Sequence, residues 1–286
     1  MPQHTSIRIA AIDFGNSNTD LVASIDGELR IFHQPHSGLP DAEMTRALLA
    51  SANIELATLN RITVTGGHHQ LLPVQLDGVP ITPVNEVLAI GRGGQALAGL
   101  DTASSQPLLI VSGGSGVAYI RAQGDAYQHV TGTGVGGGTL LGLAQLLLGT
   151  TSPTEIDALA QQGNPNRVDL TLPDAVSGPI GNLPPDTTAV NFGRLMHTDA
   201  EYGRADLAAA LVTLVGQVVA TIAINAARAH GVERIVAIGH LTDMTSVRQA
   251  IARTGAFFGQ PIETPQPAGH ATALGALLSL GDKMPR

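Results

Sequence analysis

The sequence predicts an α/β protein of two similar lobes, each a β-sheet with helices, enclosing a ligand cleft between them. Three observations predict it. A strand–turn–strand–turn–strand pattern at 7–33 returns at 108–130, helical patterns follow both copies, and glycines cluster where the expected strands stop.

The first copy, "IRIAAIDFGNSNTDLVASIDGELRIFH", reads as strands near 7–13, 18–25 and 28–33, with turns at Asn16-Ser17 and Asp26-Gly27. A helix is expected around 40–52, then a buried strand at 61–67 ending on two glycines, then a helix over 85–100 after Pro83. In the second copy "SGGSG" takes the place of "DFGNSN". The stretch 205–230 is apolar on most faces and must be a buried helix, partly against a second subunit. A strand at 233–240 and a small-residue helix at 269–280 follow, while 163–188, rich in Pro and Gly, reads as a long loop. The expected lobes are 1–105 and 106–286.

Composition narrows the function. The chain has 286 residues, 43% hydrophobic and 13% charged, enough apolar material for one large core or two medium ones. It has no cysteine, which excludes disulfides and thiolate metal sites. A net charge of −8 argues against a nucleic-acid partner. Of the 15 Lys and Arg only Lys283 is a lysine, so any site that normally uses lysine must do without it. No segment reads as a membrane span and "MPQHTS" lacks an apolar signal region, so a soluble, cytoplasmic protein with no membrane partner is expected.

The densest glycine run, "VTGTGVGGGTLLGLAQLLLG" (130–149), ends a strand and opens a helix. Bare amides beside a helix N-terminus favour an anion, usually phosphate; the alternative is that the glycines only permit tight turns and close packing. No G-x-x-x-x-G-K-[ST] motif is present, and although Gly132, Gly134 and Gly137 satisfy G-x-G-x-x-G, no βαβ unit surrounds them. Asp13, at a strand end beside Gly15, is a candidate Mg²⁺ ligand, or else a turn cap. Glu86 by itself reads as a first-turn acid favoured by the helix dipole.

With these residues in hand, the glycine run resembles the signature of type II pantothenate kinases. The similarity continues in order through "VDL", "AVNFG", "DLAAALVTLVGQVVATIA", "ERIVAIG" and "GHATALGALLSL", nearly the whole chain from Ile7. The resemblance implies the actin-like ATPase fold (ribonuclease H-like halves), a homodimer through the long helix, and transfer of the ATP γ-phosphoryl to a primary alcohol, pantothenate or a related amide alcohol. It implies that Asp13 serves Mg²⁺ and that Gly15, Asn16, Ser17 and Asn18 lie against the phosphates. Gly132, Thr133, Gly134, Gly136, Gly137, Gly138 and Gly239 would hold the nucleotide, Glu86 would take the hydroxyl proton, and Ser115 would face the acceptor.

Three positions depart from that family's pattern. Asp20 stands where a lysine faces the ATP phosphates, and Arg92 is a candidate replacement cation. His129 stands where an arginine grips the acceptor carboxylate, and histidine cannot form its bidentate fork. Ala118 replaces a serine. These changes imply a different or looser acceptor, or a non-catalytic member that binds a nucleotide or acyl-CoA. "SNTD" also resembles the phosphate loop of hydantoinase-type ATPases of the same superfamily. The histidines His68, His69, His240 and His270 are expected to be ordinary hydrogen-bonding residues.

Overall fold

A computed structural model describes residues 7–35, 38–176, 186–197 and 200–281. The first lobe opens with β1 (Ile9–Phe14), β2 (Asn18–Ile25) and β3 (Glu28–Pro35). Helix α1 (Ala42–Ser51), capped by the Asp41 carboxylate on the Met44 amide at 2.7 Å, leads to β4 (Arg61–Gly66). β5 (Gln75–Leu76), β6 (Val79–Pro83) and α2 (Glu86–Leu97) complete the segment. The second lobe repeats the path with β7 (Leu108–Gly113), β8 (Val117–Gln123) and β9 (Ala126–Thr133). Helices α3 (Gly137–Leu148) and α4 (Pro153–Gln162) follow.

The stretch expected as a long loop holds β10 (Leu170–Thr171), α5 (Leu172–Ala175) and β11 (Thr188–Val190), with 177–185 outside the described residues. Its short elements are organised by buried Asp169, which accepts from the Phe192 amide at 2.8 Å and the Thr188 hydroxyl at 3.1 Å. A buried carboxylate satisfied by Thr188 and Phe192 ties the described ends of this stretch together, which composition does not reveal. The chain then runs through α6 (Arg204–Ala229), β12 (Arg234–Ile238), α7 (Thr245–Phe257), β13 (Ile262–Glu263) and α8 (Ala271–Gly281).

The sheets have the same plan. In the first the order is β3-β2-β1-β4-β6-β5, and in the second β13-β12-β7-β8-β9; β10 and β11 pair separately. In each large sheet two antiparallel hairpins feed a central strand, β1 or β7, whose other edge takes a parallel strand, β4 or β12. Gly66 and Gly239 end those parallel strands at φ of 84° and 92°. An added Cβ would sit 2.6 Å from the Phe14 carbonyl oxygen in the first lobe and 2.5 Å from that of Gly113 in the second. Only glycine tolerates both the left-handed turn and this approach.

The covering helices cross between the halves. α2, encoded with the first sheet, buries Ile90 with Leu108, Ile110 and Ile120 of the second. α8, encoded with the second, buries Ala273, Ala276 and Leu277 with Ile9, Ala11 and Val22 of the first. The two helices meet where an added Cβ on Gly93 or Gly275 would collide with the other's backbone.

Contrary to the expectation that no segment could span a membrane, α6 has the length and hydropathy of one, with a mean hydropathy of 2.3 over its most apolar window. Its apolar faces are buried in the protein, with Leu211, Val215, Val219 and Ile224 in the largest core cluster, so it is a core helix.

Candidate active site

The strand ends and loops of both lobes meet around a cavity of about 420 Å³. From the first lobe come Asp13, Gly15, Asn16, Ser17, Asn18 and Glu86; from the second come Ser115, Thr133, Gly137, Gly239 and His240. The lobes touch at the loop tips, where Ser17 Oγ and Ser115 Oγ are 2.7 Å apart. Among the described residues the amides of Asn16, Ser17 and Ser115 have no backbone or side-chain acceptor, so they are free to donate to a bound anion.

The glycine run is used differently from the simplest expectation. The Gly137 amide donates to the Gly114 carbonyl and the Gly138 amide to the Ser115 carbonyl, each at 2.9 Å. A Cβ on Gly136, Gly137 or Gly138 would lie within about 3 Å of this same loop. The first turn of α3 therefore locks the β7–β8 loop in place, and two of its amides are already committed. Gly137 and Thr133 line the cavity, whereas Gly132, Gly134, Gly136 and Gly138 do not.

Two further predicted residues are not brought to the cavity. Arg92 is not among the lining residues; it lies on α2 about 200° around the helix from Ile90, which does line it. Its Nε and Nη1 are buried without a hydrogen-bond partner in the protein. His129 is an exposed residue of β9 opposite Ile120, also outside the lining. Neither supplies the missing positive charge.

Among the described residues the cleft does hold one cation, a histidine read from sequence as ordinary, but its charge goes to the acid at the lysine position and not to a ligand. Asp20, 4% exposed, directly faces Asp13 across the β1–β2 ladder. His240, in the turn after Gly239, reaches across from the second lobe. Its Nε2 donates to Asp20 Oδ1 and Oδ2 at 2.9 and 3.0 Å, and its Nδ1 to Asp243 Oδ2 at 2.8 Å. With both ring nitrogens donating to carboxylates the imidazole is an imidazolium. Burial opposes its protonation, but the hydrogen bonds and charges of Asp20 and Asp243 win and push its pKa up to about 10. The neighbouring His270 is lowered, chiefly by burial. Sequence pattern alone could not pair Asp20 with His240, since 220 residues separate them.

Asp13 is pushed up to about 7, first by burial, then by the charges of Asp20 and Glu86, with His240 working the other way. An acid destabilised in this manner is a natural seat for a hard dication. No cluster of three or more metal-ligating side chains occurs among the described residues. The donor set therefore fits Mg²⁺ held by one carboxylate with water and phosphate oxygens, rather than an all-protein cage. Glu86 is the first residue of α2, exposed at the cleft rim, with Asn85 as N-cap on the Leu88 amide at 3.2 Å.

Two sheets sharing a five-strand plan, crossed helices and an acidic cleft between glycine turns define the two-lobed actin and hexokinase ATPase fold. The family described as Fumble matches residues 87–279, and the chain belongs to that family. A type II pantothenate kinase of Bacillus cereus (strain G9842) is 28% identical over 77% of this chain and 81% of its own. A pantothenate kinase 1 of Oryza sativa subsp. japonica is 41% identical over 45% of this chain and 20% of its own. Among solved structures, the activator of the 2-hydroxyisocaproyl-CoA dehydratase from Clostridium difficile, with bound ADPNP, aligns over 97% of this chain and 95% of its own at TM-score 0.64 and 14% identity. A ROK family glucokinase from Streptomyces griseus, in complex with glucose and AMPPNP, aligns over 94% and 97% at TM-score 0.57 and 13% identity. Both likenesses concern the fold. The family and fold expected from the glycine run are those found.

Proposed function

We propose that the protein transfers the γ-phosphoryl group of ATP, with Mg²⁺, to the primary alcohol of pantothenate or a related amide alcohol. The observation that carries this is the convergence of Asp13, Glu86 and the two glycine turns on one interlobe cavity in a chain of the Fumble family. The free amides of Asn16, Ser17 and Ser115 suit phosphate oxygens. Glu86, exposed at the cleft rim, suits the proton of the attacking hydroxyl. Asp13 would hold Mg²⁺, which supplies charge neutralisation on the phosphates when bound. The His240–Asp20 pair ties the base of one lobe to the other, which keeps donors and acids in fixed relation while the cleft excludes water. Charge on the transferred group falls to these amides and Mg²⁺, since the lysine position is Asp20 and that acid is already occupied.

The test is coupled ADP release over a panel of pantothenate-type alcohols, with E86Q alongside. Turnover should fall by roughly 10²–10⁴-fold in E86Q while ATP binding persists. A protein that binds ATP and phosphorylates none of the panel ends the proposal. Self-association through α6 is part of the same proposal, supported by Leu214 and Val218, which lie four residues apart on that helix and are only partly buried; a monomer at micromolar concentration in sedimentation would contradict it. A cytoplasmic location is likewise proposed.

A further inference from the structure

Two hydroxyls at the heart of the first lobe are buried without a partner. Thr63 and Thr65 of β4 are each 0% exposed, and neither Oγ1 has a hydrogen-bond partner in the protein. Strand alternation puts both on one face of β4, opposite the face on which Ile62 and Val64 pack with Ile12. Valine has the same shape, suits a strand as well, and would leave no donor unpaired there.

The neighbours of the two threonines differ. In the parallel ladders Thr63 stands between Ala11 and Thr82, whereas Thr65 stands beside Asp13. Asp13 lines the cavity and leans towards β4: a Cβ added to Gly66, the residue after Thr65, would collide with Asp13 Oδ1. Among the described residues no group donates a hydrogen bond to the Asp13 carboxylate. An acid without a donor and a hydroxyl without an acceptor thus occupy adjacent places in one row of the sheet. A carboxylate that binds a metal through one oxygen keeps lone pairs to fill, and the donor that fills them fixes its orientation.

Resting on the role proposed above for Asp13, we infer that Thr65 is a positioning residue for the metal: when Asp13 holds Mg²⁺, the Thr65 hydroxyl donates to the Asp13 carboxylate, directly or through one buried water, and keeps the ligating oxygen turned to the cavity. Thr65 itself touches neither nucleotide nor acceptor. Thr63, equally buried and equally unpartnered but not beside the acid, has no part in this and serves as the internal control.

The experiment measures Mn²⁺ binding to the full chain with a non-hydrolysable ATP analogue, from the spin resonance of the free ion, with D13N giving the metal held by the analogue alone. T65V keeps the shape and removes the hydroxyl; T65S keeps the hydroxyl. T65V should bind Mn²⁺ roughly 10–100-fold more weakly, while T65S and T63V stay within about threefold of wild type. Without metal, T65V should be no less stable to urea than wild type, since it loses only an unpaired hydroxyl. Should T65V fail to fold, T65A, which also lacks the hydroxyl, gives the same reading. An affinity of T65V within about threefold of wild type, or an equal loss in T63V or T65S, overturns the inference and leaves phosphotransfer standing. A wild type that holds no more Mn²⁺ than D13N removes the metal role of Asp13 and this inference together.

Discussion

At the floor of the first lobe Asp13 and Asp20 face each other across the β1–β2 ladder; at the same register of the second lobe stand Ser112 and Ala118. The main-chain paths match closely. Both central strands run out into a bent loop, and both parallel neighbours end on a crowded left-handed glycine, Gly66 or Gly239. Duplication thus supplied the frame twice and the acids once. The second lobe contributes amides, an apolar wall and the imidazolium of His240, which crosses the cleft to neutralise one of the acids opposite. Two superposable backbones need not divide the chemistry evenly. Electrostatics here separates the halves more sharply than topology does.

Exchanging matched residues tests how far that asymmetry extends. The largest effect is expected for D13N, which removes the carboxylate proposed for the metal and should lower Mg²⁺-dependent turnover by at least about a hundredfold. The matched change S112A should leave turnover within about tenfold; equal losses would mean that the lobes share the chemistry.

Next are G66A and G239A, which impose the same backbone clash in each half. Each should cost about 2–4 kcal/mol in urea unfolding. Markedly unequal losses would show that one turn is softer than its copy.

H240N should lower stability by about 1–3 kcal/mol by leaving Asp20 buried without its cation. Because the folded pKa of His240 is about 10 against 6.5 for the free side chain, protonation favours the fold. That stabilisation is complete below about pH 6.5 and is lost as pH rises towards 10. Wild type should therefore lose stability over this window more steeply than H240N, as followed by thermal melts across pH. Parallel curves would place the stabilisation elsewhere.

The smallest effect is expected for G142A, in the middle of α3 with open space at its Cβ. It should stabilise by about 0.5–1 kcal/mol. G137A, only five positions earlier but 2.8 Å from the Gly114 carbonyl oxygen, should destabilise.

Local pattern carried much of this architecture. Strict runs of apolar residues ending on turn signals marked β1, β2 and β4, and the unbroken apolar stretch of α6 was placed within a residue at each end, Arg204–Ala229 against 205–230. What periodicity reports is that a face is buried, not what buries it. Hence the exchange of α2 and α8 between sheets was invisible, although each helix was expected. The site shows the same limit. Asp13 stood out as a strand-end acid beside a glycine, whereas Glu86 and residues 16–18 were singled out only through the resemblance to type II pantothenate kinases; all of them line the cavity. The Asp20–His240–Asp243 bridge, and the use of the Gly137 and Gly138 amides as loop ties, depend on which distant segments meet. Arg92 was a plausible cation by position along α2, but helical phase turns it away from the cleft.

The crossing of α2 and α8 also bears on how the halves can be separated. A cut near residue 105 follows the sheet boundary yet strips each sheet of the helix that covers one of its faces. The first fragment would bare Ile9, Ala11 and Val22, and carry α2 with no partner for Ile90. Such fragments should associate with one another, or with themselves, before either is soluble alone. Two modules by ancestry of shape, the lobes are one unit for assembly.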